Sequence, residues 1–250
     1  MDPMQQTAIV VPCYNEARRL APDEFVACAI AQPALSFLFV DDGSTDATIE
    51  VLSQMTKRAP QQLSALRLHS NVGKAEAVRR GVLQAFESGA ELIGFWDADL
   101  ATPLYNIEEF AHVLQQPSLQ LAMGARVRLL GRAIHRDPFR HYAGRSFATL
   151  AALALQLPVY DTQCGAKLFR ANTTFREIFC EPFELGWSFD VELLARLVRS
   201  ARRAGIDPAS QLVEIPLKEW TDTPGSKLRA RHLPRIAWDV GKLFSIVRQR

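Results

Sequence analysis

A mostly parallel β-sheet covered by helices on both faces is the α/β fold this sequence predicts, and three observations predict it. Short β-rich runs recur at residues 7–11, 35–40, 63–68, 92–97 and 120–124. Segments of helical period separate them, and this alternation is the signature of a sheet buried on both sides. Acidic and turn motifs stand at the ends of the runs, the rim at which such sheets bind ligands.

Each element follows in order. The first run ends in Pro12-Cys13-Tyr14-Asn15-Glu16. The second ends in Val40-Asp41-Asp42-Gly43-Ser44-Thr45-Asp46, with Asp46 set to N-cap a helix over 47–57 whose Ile49, Leu52 and Met55 share a face. After the third run comes Asn71-x-Gly73-Lys74, which lacks the GxxxxGK[ST] frame of a P-loop. It opens a helix over 74–88 with Val78, Val82, Ala85 and Phe86 on one face. The fourth run ends in Trp96-Asp97-Ala98-Asp99 and the fifth in Gly124-Ala125-Arg126. Beyond Gly124 the pattern changes. A basic loop (126–140) leads into an apolar helix over about 141–157, then a short segment at 164–170, a helix over 189–203 and a strand over 211–216. In the basic tail, 230–250, Ile236, Val240, Leu243 and Val247 fall at helical spacing. No repeat or linker divides the chain, so 1–250 reads as one domain with an amino-terminal half (about 7–124) and a carboxyl-terminal half (about 125–250).

Composition removes several classes. With 250 residues, 48% hydrophobic and 22% charged, the chain is neither disordered, collagen-like nor coiled coil. No run reaches the ~20 apolar residues of a membrane helix; the nearest, 146–160, is short and carries Gln156 and Pro158. The start, MDPMQQ, lacks the basic flank of a secretion signal. Four cysteines without CxxC or zinc spacing read as buried or incidental thiols in a reducing cytoplasm, and Cys164, with no paired histidine to make it a nucleophile, reads as a packed thiol.

The near-neutral total hides an asymmetry. Residues 1–120 hold 8 Lys and Arg against 15 Asp and Glu, whereas 121–250 hold 21 against 12. Six arginines and one acid lie between Arg126 and Arg145. Arginine forks suit phosphate, and an acidic half facing a basic one fits a metal and nucleotide opposite a phosphate better than it fits nucleic acid. Asp97 and Asp99, two apart on an extended end, would project the same way and reach one hard cation, Mg2+ or Mn2+.

Taken together, Pro12-x-Tyr14-Asn15-Glu16, Asp41-Asp42-Gly43-Ser44-Thr45-Asp46, Asn71-x-Gly73-Lys74 and Asp97-Ala98-Asp99 resemble family 2 glycosyltransferases with the GT-A fold. Asp161-Thr162-Gln163-Cys164-Gly165-x-Lys167-Leu168-Phe169, Trp187-x-Phe189-Asp190-Val191-Glu192 and Gly225-Ser226-Lys227-Leu228 are similar to the dolichyl-phosphate β-glucosyltransferase branch. The resemblance covers residues 7–228.

It implies roles residue by residue. Pro12, Tyr14 and Glu16 would line the nucleotide pocket, with Val40 and Asp42 at base and ribose. Asp97 and Asp99 would hold the metal against the diphosphate, with the backbone of Ala98 close by. Arg126 and Lys227 would reach phosphate oxygens, Gln163 and Lys167 would line the sugar pocket, and Arg140 would take the acceptor phosphate. Lys74 has two readings, a ligand contact or a solvated lysine. Ala101 and Thr221 depart from the mannosyltransferase pattern and point away from GDP-mannose.

The chemistry asks for the same residue types. Breaking a sugar–diphosphate bond leaves negative charge on the diphosphate, which cations stabilise. A lipid-phosphate acceptor is already an anion and needs no strong base, only positioning by Arg136, Arg140 and Arg145. A hydroxyl acceptor would need Asp190 as base, while the same residue also fits a structural role in the first turn of a helix capped by Ser188. The expectation is therefore an inverting, metal-dependent hexosyltransferase. Its donor would be a UDP-sugar, first of all UDP-glucose, and its acceptor a polyprenyl phosphate at the cytoplasmic face of a membrane, with transient peripheral association and room for a membrane-protein partner. Another nucleotide-sugar (GDP-mannose, UDP-GlcNAc or UDP-galactose), a hydroxyl acceptor, or a nucleotide-sugar or nucleic-acid binding module are the alternatives.

Overall fold

The computed structural model of the chain describes residues 4–135, 138–221 and Lys242, with side chains for all of these but 138–143. The first half alternates as the sequence predicts: β1 (Thr7–Cys13), α1 (Pro22–Ala31), β2 (Leu35–Asp41), α2 (Thr48–Arg58), β3 (Leu63–Arg67), α3 (Lys74–Phe86), β4 (Leu92–Phe95), α4 (Asn106–Val113) and β5 (Leu121–Ala125). The second half holds β6 (Ala133–His135), α5 (Pro138–Leu155), β7 (Lys167–Arg170), α6 (Thr173–Cys180) and α7 (Phe189–Arg203). A 3-10 turn at Pro208–Gln211 leads to β8 (Leu212–Pro216) and β9 (Glu219–Thr221). The helix expected over 141–157 starts earlier, at Pro138, whose fixed φ suits a first helical position. The expected helix over 230–250, Lys242 apart, lies outside the described residues, as do Arg136 and Lys227.

Seven strands form one sheet in the order β3-β2-β1-β4-β7-β5-β8, and β6 pairs with β9 in a small second one. Strands β3, β2, β1 and β4 run parallel, and β5 is parallel to β8. Only β7 is reversed, antiparallel to both β4 and β5. The reversal decides where the site can form. It brings the start of β7, and the loop before it, to the rim where the other strands end.

Side-chain alternation sorts the core into two layers. Ile9, Val11, Phe37 and Phe39 pack with Phe25 of α1, Leu52 and Met55 of α2, and Phe110 of α4. On the other face Val10, Leu38 and Val40 pack with Val78 and Val82 of α3, and this layer continues into Phe179 of α6 and Leu193 of α7. Close approach between β4 and β7 requires a glycine: a Cβ on Gly94 would lie 2.4 Å from the backbone oxygen of Lys167, an atom that cannot yield. Gly94→Ala is expected to destabilise the fold by about 1–3 kcal/mol, read as a lower midpoint in urea; an unchanged midpoint would contradict this packing.

Candidate active site

The ends of β1 and β2 are laced together by side chains. Asn15, at φ 54°, accepts from the amide of Thr45 (2.9 Å), and its own amide donates to the hydroxyl of Ser44 (2.9 Å). Asp41 accepts from the amide of Ser44 (3.1 Å). Both oxygens of Asp42 accept backbone amides, from Val72 (2.8 Å) and Gly73 (2.9 Å), so this carboxylate shapes the loop that starts α3. Asp46 accepts from the amide (3.0 Å) and hydroxyl (2.5 Å) of Thr48 and so serves the start of α2, although Ala47 occupies the N-cap position.

Several expected nucleotide contacts face elsewhere. The Val40 side chain is fully buried beneath Gly81 of α3, in the core rather than at the rim. Glu16 is buried, its carboxylate gripped by Arg19 at 2.5 and 2.7 Å. Pro12 and Tyr14 are half-buried at the rim.

At the end of β4 the acids meet a lysine. Asp97, half-buried, accepts from Lys74 Nζ at 2.5 Å. Partial desolvation at the rim works against the Lys74 ammonium, which keeps about two-fifths of its side chain exposed, but the charges of Asp97, Asp190 and Asp99 outweigh it and raise its pKa. One amine thus lies in the field of both expected metal ligands and of Asp190. The extended geometry expected for Asp97 and Asp99 is not what holds them. Strand β4 stops at Phe95, and a turn follows in which Asp99 accepts from the amide of Ala101 (3.2 Å) and Leu100 takes φ 51°. Ala98 is buried. Two half-buried carboxylates beside a rim suit a hard cation that keeps waters and shares a diphosphate. Among the described residues no group of three or more His, Cys, Asp or Glu forms a full protein cage.

The reversed strand supplies the opposite wall. Lys167 is fully buried, donating to Asp190 (2.5 Å) and to the carbonyl of Cys164 (2.7 Å) with Phe95 beneath it. The expected sugar-pocket lysine is therefore an internal strut. Asp190 is itself buried at the start of α7, and the Ser188 side chain does not cap that helix. Between these anchors Gly165 presses against Asp97: a Cβ there would lie 1.8 Å from Asp97 Oδ2. Gln163 is half-buried beside them, its amide donating to Asp161 (3.3 Å). Burial raises the Cys164 thiol pKa, as befits a packed thiol, and all four cysteines are free.

A second charged group lies beyond β5. Arg126 forks onto Asp161 at 2.6 and 2.8 Å and stacks over Trp220. Burial opposes its charge, yet Asp161 outweighs that and raises its pKa. Arg145 donates to the carbonyl of Tyr160 (2.6 Å) and lies over its ring. Glu214 of β8 accepts the amides of both Tyr160 and Asp161, each at 2.7 Å. Burial pushes the Glu214 carboxyl up, and the charge of Asp161 adds to this, while the two amides and Arg145 oppose it. Sequence reasoning missed Tyr160 and Glu214 because their contacts run through backbone amides some fifty residues apart. The backbone of Arg140 lies in α5, with its side chain outside the description.

The Glycosyl transferase family 2 profile matches residues 8–173, and the chain belongs to that family. The protein is a glycosyltransferase. Among its relatives are dolichyl-phosphate beta-glucosyltransferases of Trichomonas vaginalis, 32% identical over 94% of this chain and 69% of the relative; of Drosophila melanogaster, 34% over 90% and 70%; and of Homo sapiens, 32% over 99% and 76%. Solved structures share the GT-A fold. Mycobacterium tuberculosis glucosyl-3-phosphoglycerate synthase with UDP matches at TM-score 0.67 and 18% identity, covering 97% of this chain and 80% of that one. A Pyrobaculum calidifontis mannosyltransferase with GDP-Man and Mn2+ matches at 0.60 and 18%, covering 94% and 61%.

If the Lys167–Asp190 pair is the strut described, removing one partner strands a buried charge. Lys167→Met is expected to cost about 3–5 kcal/mol, and Lys167→Met combined with Asp190→Leu to recover most of it. Denaturant unfolding measures both; a single variant as stable as the parent would refute the strut.

Proposed function

We propose that the protein transfers glucose from UDP-glucose to a polyprenyl phosphate, with inversion, and that a divalent metal held by Asp97 and Asp99 assists. One observation carries the reading: Lys74, Asp97, Asp99 and Asp190 share one electrostatic neighbourhood at the carboxyl-end rim, where this fold binds its ligands. The relatives' names support the sugar and the lipid-phosphate acceptor, and UDP, UDP-glucose and Mn2+ in the structural neighbours support donor and metal.

Departure of the diphosphate concentrates negative charge on its oxygens. Bound metal would neutralise part of that charge as a Lewis acid. Lys74 is a cation already at the rim, and Arg126 a second one beyond β5. Asp161 holds Arg126 in place before substrate arrives, so little reorganisation of it is needed in the transition state, and Lys74 can exchange Asp97 for the phosphate. The acceptor phosphate attacks as an anion, which leaves Asp190 free to act as a buried wall rather than a base. Beside Arg145 an open groove of about 590 Å³ is lined by Ala152, Leu153, Leu157, Pro158 and Val159. Arginine for a phosphate with apolar wall beside it suits the head of a prenyl lipid. Among the described residues no helix is long and apolar enough to cross a membrane. Exposed Leu129, Leu130, Leu150 and Leu153 near the arginines support peripheral contact with a membrane surface, which we place at the cytoplasmic face.

The test is a product assay with UDP-glucose, polyprenyl phosphate and Mn2+ or Mg2+, read by mass spectrometry of the organic phase. A prenyl-phospho-hexose is expected, abolished by EDTA and reduced at least about a hundredfold by Asp97→Asn. Product that persists in EDTA would sink the metal assignment. Glucose transfer to a hydroxyl lipid but not to the phosphate would sink the acceptor.

A further inference from the structure

Arg126 and Arg145 both rest on one two-residue step of the chain. Arg126 forks onto the Asp161 side chain at 2.6 and 2.8 Å, and its own amide donates to the same carboxylate at 3.1 Å. Arg145 donates to the Tyr160 carbonyl at 2.6 Å, with its guanidinium carbon 3.5 Å from the centroid of the Tyr160 ring. The step from Tyr160 to Asp161 belongs to no strand or helix, so no ladder fixes it. Glu214 does. Its two carboxylate oxygens accept two successive amides, Tyr160 through Oε2 and Asp161 through Oε1, both at 2.7 Å. Two bonds to neighbouring amides fix the orientation of that peptide as well as its position. Glu214 is in turn fixed by the sheet, in register with Met123 three residues before Arg126.

We infer that Glu214 is a positioning residue of the transfer site, holding the platform on which the donor-side and acceptor-side arginines both rest and so setting the separation of the two anionic groups they receive. The roles given to the arginines rest on the proposed lipid-phosphate reading; their placement by Glu214 does not. Rate in a two-substrate transfer depends steeply on such alignment, and a single anchor for both sides couples them.

Glu214→Gln keeps the volume but turns an NH2 toward one of the two amides, removing one hydrogen bond. Glu214→Asp keeps the charge but is too short to reach both. In either variant the KM values for UDP-glucose and for polyprenyl phosphate are expected to rise together, about fivefold for one lost hydrogen bond. Tyr160→Leu should raise the acceptor KM alone, and Asp161→Asn the donor KM alone. Unchanged KM values in a Glu214 variant that merely melts earlier would show a structural glutamate and overturn the inference, as would a rise for one substrate only. A crystal structure of Glu214→Gln decides the placement without any assay. Both guanidinium groups are expected to shift together with the Tyr160–Asp161 step, and guanidinium groups unmoved in the variant would overturn the inference. If the parent enzyme makes no prenyl-phospho-sugar, the lipid-phosphate reading falls, while the displacement of the arginines still decides the role of Glu214.

Discussion

An ammonium group with no solvent exposure, at the head of the one reversed strand, is the constraint on which the rest of the site depends. Lys167 can be buried only because Asp190 and the Cys164 carbonyl accept its hydrogen bonds. Desolvating such a pair is costly, and the pair contributes little net stability against an apolar replacement. What it supplies is geometry. It ties α7 to the start of β7 and fixes the loop whose Gly165 bears on Asp97. A strand running with its neighbours would carry that loop to the opposite edge of the sheet, away from Asp97.

Around this anchor the charges are arranged in layers of different purpose. Glu16 with Arg19 and Asp42 with the amides of Val72 and Gly73 are closed contacts that shape walls. Asp97 and Lys74 are the open pair, each with roughly two-fifths of its side chain exposed. Exposure is what separates a group that holds the scaffold from one that can exchange partners with a ligand. The charge asymmetry of the sequence has its place in the fold, with the acids at the ends of β1, β2 and β4 and the arginines after β5.

Much of the fold was legible in the sequence because its signals are local. The strands of the first half lie within two residues of the β-rich runs, and α7 spans the same residues as its amphipathic pattern. Helices α1, α4 and α6 were not singled out. Residues Pro22–Ala31 carry apolar side chains on more than one face, and α4 and α6 are only eight residues long. Strands β6 and β9, three residues each, are too short to show a period of two. At the site, residue type was readable and direction was not. Val40 follows the alternation of β2 into the core, and Asp99 sits in a turn because β4 ends at Phe95. The strut role of Lys167 and the platform role of Glu214 depend on β7 being reversed and on β8 joining β5, pairings between segments distant in the chain that no local pattern encodes.

The central claim is that the rim between Asp97, Asp99 and Lys74 is the seat of donor and metal. Crystals grown with UDP and Mn2+ and measured at the manganese absorption edge test it most directly. The account predicts one anomalous peak in contact with Asp97, Asp99 and the diphosphate, with Lys74 drawn from Asp97 toward the phosphate. Bound UDP with manganese away from both aspartates, or UDP bound elsewhere than this rim, would contradict it.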